Sequence, residues 1–405
     1  MAIQLFIELL QVAIGQRRCL SKLLTGEELR LMYELFKKHA LPGIGYVAIQ
    51  RLPKEQWPPA NIVLSLTAYA TQIKAKNVKL TEECRKVVRQ MGHDGIHAVV
   101  IKGQSNWENY PEELREYRNP GDIDVWTKLI NDTGIPVAEQ TGDSVEYVYY
   151  KGVRGIIEYA QLQRRQREDK SLFKPLYYHV EYHTDKGTEV EMHYRPSFLC
   201  SPIRNMRMQR WFREQFDVCL KNKCQLGFPV LTSSVNVVYQ LVHLYRHIFE
   251  NGIGLRQLMD YYFALRVWHN DVMECKDLQL QGMWSEGLGM PVMSKEEVMA
   301  VLRSFGMAKF TAAVMYVLQE VFAMPTHNYI CEPNGKEGRK LLAEIMQGGN
   351  FGQYDTRDAA LKKGGMMKHG AWKLKRVMRL VSSYPEEALW EPVFRVYHLG
   401  WRLFH

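Results

Sequence analysis

A chain of 405 residues is longer than one hydrophobic core normally spans, so two or three packed units are expected. With 46% hydrophobic and 24% charged residues, its composition is that of a globular protein and excludes a long disordered tail. The formal charge of +9 fits a polyanionic partner, a condition that nucleotides, nucleic acid and anionic lipid meet equally.

The first fourteen residues are apolar but interrupted by Gln4, Glu8 and Gln11, and the Arg17-Arg18 pair follows them rather than preceding them. That pattern predicts an amphipathic helix, not a signal peptide. No apolar run approaches the roughly 18 to 20 residues of a membrane span, so no membrane insertion is expected and the cytoplasm is the expected compartment. Helical spacing continues through Leu20, Leu23, Leu24, Leu29, Leu35 and Phe36, and Pro53, Pro58 and Pro59 divide it; residues 1–95 are predicted to form an N-terminal helical region.

Around Ile96 the character changes. His97-Ala-Val-Val-Ile101 predicts a strand delivered into a Lys102-Gly103 turn, and Ile123-Asp-Val-Trp126 predicts a second strand. Between Tyr177 and Tyr194, two alternating stretches flank Asp185-Lys186-Gly187, which predicts a hairpin. In its second arm Val190 and Met192 should face the core, with Glu189, Glu191 and His193 on the opposite face. Residues 96–205 therefore form a sheet-bearing core, and residues 206–405, where helical spacing returns at Val238, Leu241, Val242, Tyr245 and Ile248, form a C-terminal helical domain. The seven cysteines are scattered, odd in number and without a C-x-x-C pair, which predicts buried reduced thiols.

The chemistry concentrates at Arg118-Asn-Pro-Gly-Asp-Ile-Asp-Val-Trp126. Residues two apart on a strand point the same way, so Asp122 and Asp124 present paired carboxylates, which repel unless a cation sits between them. A hard divalent ion such as Mg²⁺ takes this kind of oxygen donor together with substrate phosphates. Glu191 is the expected third acid, with Glu189 on the same strand face, and three acids could hold two ions. One ion would orient a triphosphate while the other lowers the pKa of an acceptor hydroxyl. Gly103, helped by Gln104 or Ser105, could bring backbone N–H groups close to phosphate oxygens, and Lys102 and Arg118 could neutralise phosphate charge.

Val100-Ile-Lys-Gly-Gln-Ser105, Arg118 through Trp126 and Val190-Glu-Met-His-Tyr-Arg-Pro196 resemble the DNA polymerase beta-like nucleotidyltransferase superfamily, and more narrowly an uncharacterised nucleotidyltransferase group found in bacteria. The resemblance implies an α+β fold: a small mixed nucleotidyltransferase-type sheet flanked by N-terminal helices and a C-terminal helical domain. It implies Mg²⁺-dependent transfer of a nucleoside monophosphate from a nucleoside triphosphate to a hydroxyl or phosphate acceptor. Asp122 and Asp124 correspond to its paired metal ligands, Glu191 to its third acid and Gly103 to its phosphate-facing turn. A sugar or other small acceptor is favoured, with RNA or a protein side chain as the other choices. The chain departs from the superfamily pattern in placing Gln104 before Ser105, and in a glutamate rather than an aspartate as third acid. The alternative from another class is a non-catalytic nucleotide-binding or interaction protein that keeps the fold.

Other signals carry less chemistry. His243 and His247 are four apart on a predicted helix, a spacing that more often means packing than a shared metal. Arg246, Arg256 and Asp260 could serve a nucleotide or form an internal ion pair. Gly348-Gly-Asn-Phe-Gly352 lacks the lysine of a phosphate loop and reads as a helix stop. Lys362, Lys363, Lys368, Lys373, Lys375, Arg376 and Arg379 make a basic tract that reads as a solvated helix face, with nucleic acid or an anionic surface as the sharper alternative.

Overall fold

The computed structural model describes residues 2–130, 134–141, 144–280, 292–358, 361 and 365–404. The fold is α+β, with a small mixed sheet and flanking helices. In chain order the elements begin with helices α1 (Ala2–Ala13), α2 (Gly26–Lys38), α3 (Pro42–Arg51) and α4 (Ala60–His93). Strand β1 (Ile96–Val100) follows, then a 3-10 turn (Gly103–Asn109), α5 (Glu112–Arg115), β2 (Ile123–Leu129), β3 (Ile135–Thr141), β4 (Ser144–Tyr150), α6 (Gly152–Gln166), β5 (His179–His183) and β6 (Glu189–His193). The remainder is helical: α7 (Pro202–Lys221), α8 (Ser233–Glu250), α9 (Leu255–Leu280), α10 (Lys295–Ser304), α11 (Ala308–Phe322), α12 (Gly335–Gly348), α13 (Met366–Leu380) and α14 (Pro385–Leu403).

Local chemistry starts and stops these helices. Thr25 and Glu28 form a reciprocal capping box at α2, and Ser294 and Glu297 form another at α10, each satisfying amide groups that a helix start leaves unpaired. Pro42 and Pro202 open α3 and α7, where their missing N–H costs nothing. Gly349, at φ +65°, ends α12, so the Gly348–Gly352 stretch is the expected helix stop.

Two compact units result. The helical unit comprises Met1–Asn77, Trp107–Asn119 and Val237–Leu389, and the sheet unit comprises Val78–Asn106, Pro120–Asn236 and Trp390–His405. In the helical unit α1 packs on α2, α3 and α11. The basic tract lies in this unit and is mostly open to solvent: Lys368 and Lys375 are exposed and Lys373 and Arg379 half-buried, with Lys375 and Arg379 pairing with Asp358, whereas Trp372 and Arg376 are buried and Arg376 donates to the Ile248 carbonyl. Lys362 and Lys363 lie outside the described residues. The His243 and His247 rings meet edge to face at 4.3 Å.

In the sheet unit four strands run in the order β1-β2-β6-β5. β1 and β2 are antiparallel, β2 and β6 parallel, and β6 and β5 the antiparallel hairpin expected around Asp185-Lys186-Gly187. Val190 and Met192 are fully buried against Val125, Val180, Cys84 and Met91 of α4, and Ile156 and Ile157 of α6. Each such aliphatic side chain contributes roughly 1.5–3 kcal/mol by leaving water. Helices thus cover one sheet face, and the alternation of the strands turns the polar residues to the other. A two-stranded ribbon of β3 and β4, not expected from the sequence, stands as a separate sheet. The end of α14 also belongs to this unit: Phe394 stacks on Phe198 at 4.5 Å, and Trp401 meets Tyr177.

All seven cysteines are free; Cys84, Cys200 and Cys219 are buried, whereas Cys19 is exposed, contrary to the expectation of uniform burial. No helix among the described residues is long and apolar enough to cross a membrane.

Candidate active site

β1 hands the chain to the Lys102-Gly103 turn. Gly103 has φ +60°, in the left-handed region that a side chain disfavours, and a Cβ there would lie 3.3 Å from the Asp122 carbonyl oxygen. Glycine therefore lets the turn run close beside the first aspartate. Gln104 and Ser105 are buried; Gln104 Nε2 donates to Thr81 Oγ1 at 2.6 Å, and Ser105 N donates to the Lys102 carbonyl at 3.2 Å. Ser105 Oγ is buried with no hydrogen-bond partner among the described residues, an orphan hydroxyl in the turn itself.

Asp122 immediately precedes β2 and Asp124 sits within it. Parallel pairing sets Asp124 opposite Glu191 of β6, and antiparallel pairing sets Glu191 opposite Glu181 of β5. One row across three strands is therefore acidic. The next row on the same face carries His193 opposite His179. His193 Nε2 lies 3.1 Å from Asp124 Oδ1 and 3.0 Å from Glu191 Oε2, while His179 Nε2 lies 2.8 Å from Glu181 Oε1. Lys102 closes the group, its ammonium pairing with Asp124 and lying 3.5 Å from Glu191 Oε2.

Electrostatics separate these acids. Burial, then the like charge of Asp122, pushes the Asp124 carboxyl well up, with Lys102 opposing. Burial acts on Glu191 in the same sense, but Lys102, His179 and His193 together outweigh it and hold Glu191 well below the ordinary range. Burial and the neighbouring Glu181, Glu191 and Asp122 push Glu189 up. Five carboxylates thus share this region with Lys102, which reaches two of them, and with His179 and His193, an arrangement that asks for additional positive charge.

A family model described as an uncharacterised nucleotidyltransferase matches residues 25–279, more than half of the chain and a span that includes every residue of this cluster. The chain belongs to this nucleotidyltransferase family. Membership supports a general nucleotidyl-transfer role and implies a nucleoside triphosphate substrate. Comparisons with curated proteins and with solved structures find no match in either.

Nucleotidyltransferases commonly use divalent metals, and the donors here suit one. Asp122, Glu189 and Glu191 each offer an oxygen, all within 4.8 Å of one another, which is an all-oxygen set for a hard cation. His179, Glu191 and His193 form a second, mixed nitrogen and oxygen set within the same limit. The structure thus brings Lys102, Gly103, Asp122, Asp124, Glu189 and Glu191 into one unit. Arg118 is in the helical unit, where Nε and Nη2 grip the two Asp260 oxygens at 2.7 Å each and Tyr110 donates to Asp260 Oδ1 at 2.6 Å. Its remaining nitrogen, Nη1, is buried with no hydrogen-bond partner among the described residues. His179 and Glu181 join the site without belonging to any of the motifs singled out in the sequence. Their signal was the His-x-Glu-x-His alternation of residues 179–183, which faces Glu-x-Glu-x-His across the turn.

Proposed function

We propose that this nucleotidyltransferase moves a nucleoside monophosphate from a nucleoside triphosphate to a hydroxyl or phosphate acceptor and releases pyrophosphate. Asp122, Asp124 and Glu191 hold Mg²⁺ in this reading, with Glu189 beside them. The observation that carries it is the sheet register: Asp124 stands opposite Glu191, and Asp122, Glu189 and Glu191 offer oxygens within 4.8 Å of one another. Bound there, the ion supplies charge for the polyphosphate and lowers the pKa of the acceptor hydroxyl. Gly103, Gln104 and Ser105 form the phosphate-facing turn, in which the orphan Ser105 hydroxyl is a ready donor. Lys102 offsets part of the acid surplus, whereas Arg118 is held by Asp260 within the helical unit. A sugar or other small molecule is the favoured acceptor, ahead of RNA or a protein side chain.

One observation favours the second reading, a non-catalytic nucleotide-binding or interaction protein: Lys102 already pairs with Asp124 and lies beside Glu191, as it would in a site that has closed on its own lysine. Calorimetry with the four ribonucleoside triphosphates, with and without Mg²⁺, tests both when the parent is compared with Asp122→Asn/Asp124→Asn. Binding that needs Mg²⁺ and the aspartates, followed by transfer of labelled nucleotide to one of a panel of acceptors, is the expected result. Binding without transfer to any acceptor moves the second reading ahead, and no binding by the folded parent sinks the first.

A further inference from the structure

The helix-covered side of the sheet unit has an opening of its own. A cleft of about 400 Å³ lies between the last turns of α4, the end of α6 and the tip of the β5-β6 hairpin. That volume falls in the range of small-molecule sites, roughly 300–1,000 Å³. Its buried aromatic wall is Tyr182, which alternates along β5 with Glu181 and His183 and so points away from the carboxylate face. The cleft and the acid cluster therefore use opposite sides of one strand.

Charge is unevenly matched around this opening. Each of its two acids has a partner: Glu83 Oε1 lies 3.2 Å from Lys186 Nζ, and Asp185 Oδ1 lies 2.8 Å from Arg167 Nε. Lys86 has only Glu82, 4.0 Å away and outside the lining, while Arg89 has no ion pair or hydrogen bond among the described residues. His93 stands one turn beyond Arg89 on the same helix. Two cations and a histidine are left to face a concave, half-apolar space, which is the electrostatic complement of a compact dianion.

We propose that this cleft is a second binding site, specific for a small phosphate-bearing anion and distinct from the carboxylate site. Thr184 and Lys186 tie the ligand-facing turn to Glu83 of α4, and the same hairpin carries Glu189 and Glu191 on its other face. An anion held between Arg89 and the turn therefore restrains the strand that presents the third acid.

Calorimetry in EDTA, with inorganic phosphate, pyrophosphate and AMP as probes, tests this without any contribution from a metal. The parent and Asp122→Asn/Asp124→Asn should bind pyrophosphate or AMP equally. Lys86→Ala/Arg89→Ala, which alters two exposed side chains and should keep the parent's thermal midpoint, should bind at least about tenfold more weakly. Tighter binding of AMP identifies a phosphate ester as the occupant, and tighter binding of pyrophosphate identifies the free anion. A basic rim that serves only the carbonyl ends of α4 and α6 gives no binding in the parent. That result, binding unchanged in Lys86→Ala/Arg89→Ala, or binding lost in the aspartate variant would each overturn the proposal. Because the probes are tested without Mg²⁺, failure here leaves the reading of the carboxylate site standing.

Discussion

Two charge clusters in this chain, one in each compact unit, differ in how completely their charges are matched. In the helical unit Arg118 and Asp260 meet fork to fork at 2.7 Å, and Tyr110 supplies a further hydrogen bond to the same carboxylate. One cation answers one anion and the pair is closed. In the sheet unit Asp122, Asp124, Glu181, Glu189 and Glu191 lie near one another while Lys102 pairs with Asp124 and lies beside Glu191, so negative charge is left over even with the histidines beside them. A closed pair holds parts of the chain together, whereas an unmatched cluster costs folding free energy and makes sense where a ligand brings the missing charge.

The largest expected effect comes from opening the closed pair. Arg118→Ala or Asp260→Ala leaves a buried charge alone and should cost about 3–5 kcal/mol in urea unfolding. An Arg118→Met/Asp260→Leu double substitution should recover most of that loss, because it removes both charges and keeps the volume. A single-variant cost below about 1 kcal/mol would mean that water reaches the pair, and the contrast between the two clusters would fail.

Next in size is the response of the unmatched cluster to its missing charge. Mg²⁺ with a nucleoside triphosphate, at a hundredfold excess over the dissociation constant, should stabilise the parent by about 2.7 kcal/mol, and EDTA should reverse the gain. Asp122→Asn/Glu191→Gln should abolish the shift. An equal shift in parent and variant would place the ligand elsewhere in the molecule.

How much of this contrast the sequence displays depends on the range of the interaction. The β5-β6 hairpin is legible because a polar-apolar alternation flanks Asp185-Lys186-Gly187, and Gly187 has the φ of +76° that such a turn demands. The Asp-x-Asp spacing likewise places Asp122 and Asp124 together, but not that Asp124 is 1% exposed while Asp122 stays partly open. That difference comes from the parallel pairing of β2 with β6, whose register no local pattern encodes. Arg118 looks like a phosphate ligand because it stands just before the aspartates, and its partner Asp260 is 142 residues away. β3 is obscured for a local reason: Pro136, Glu139 and Gln140 dilute the strand signal over Ile135–Thr141.

Lys102 tests the unmatched cluster from the opposite side. Lys102→Met removes the ammonium beside Asp124 and Glu191 and should destabilise the metal-free protein by about 1–3 kcal/mol, since two buried carboxylates lose a charged partner. The same change removes a competitor for the acids, so the stabilisation gained from Mg²⁺ should grow. A smaller Mg²⁺ increment in the variant would show that Lys102 assists the ion rather than standing in for it.

The smallest effect separates two causes at the turn itself. Gly103→Ala should cost about 1–2 kcal/mol, because φ +60° is unfavourable for a side chain. A Cβ would also lie 3.3 Å from the Asp122 carbonyl oxygen, a tight contact that any substitution shares. Asparagine tolerates the left-handed region better than alanine yet has the same Cβ. If backbone conformation governs the site, Gly103→Asn loses less stability than Gly103→Ala. If the contact with Asp122 governs it, the two variants lose the same amount, and both should weaken Mg²⁺-dependent nucleotide binding by shifting the first aspartate.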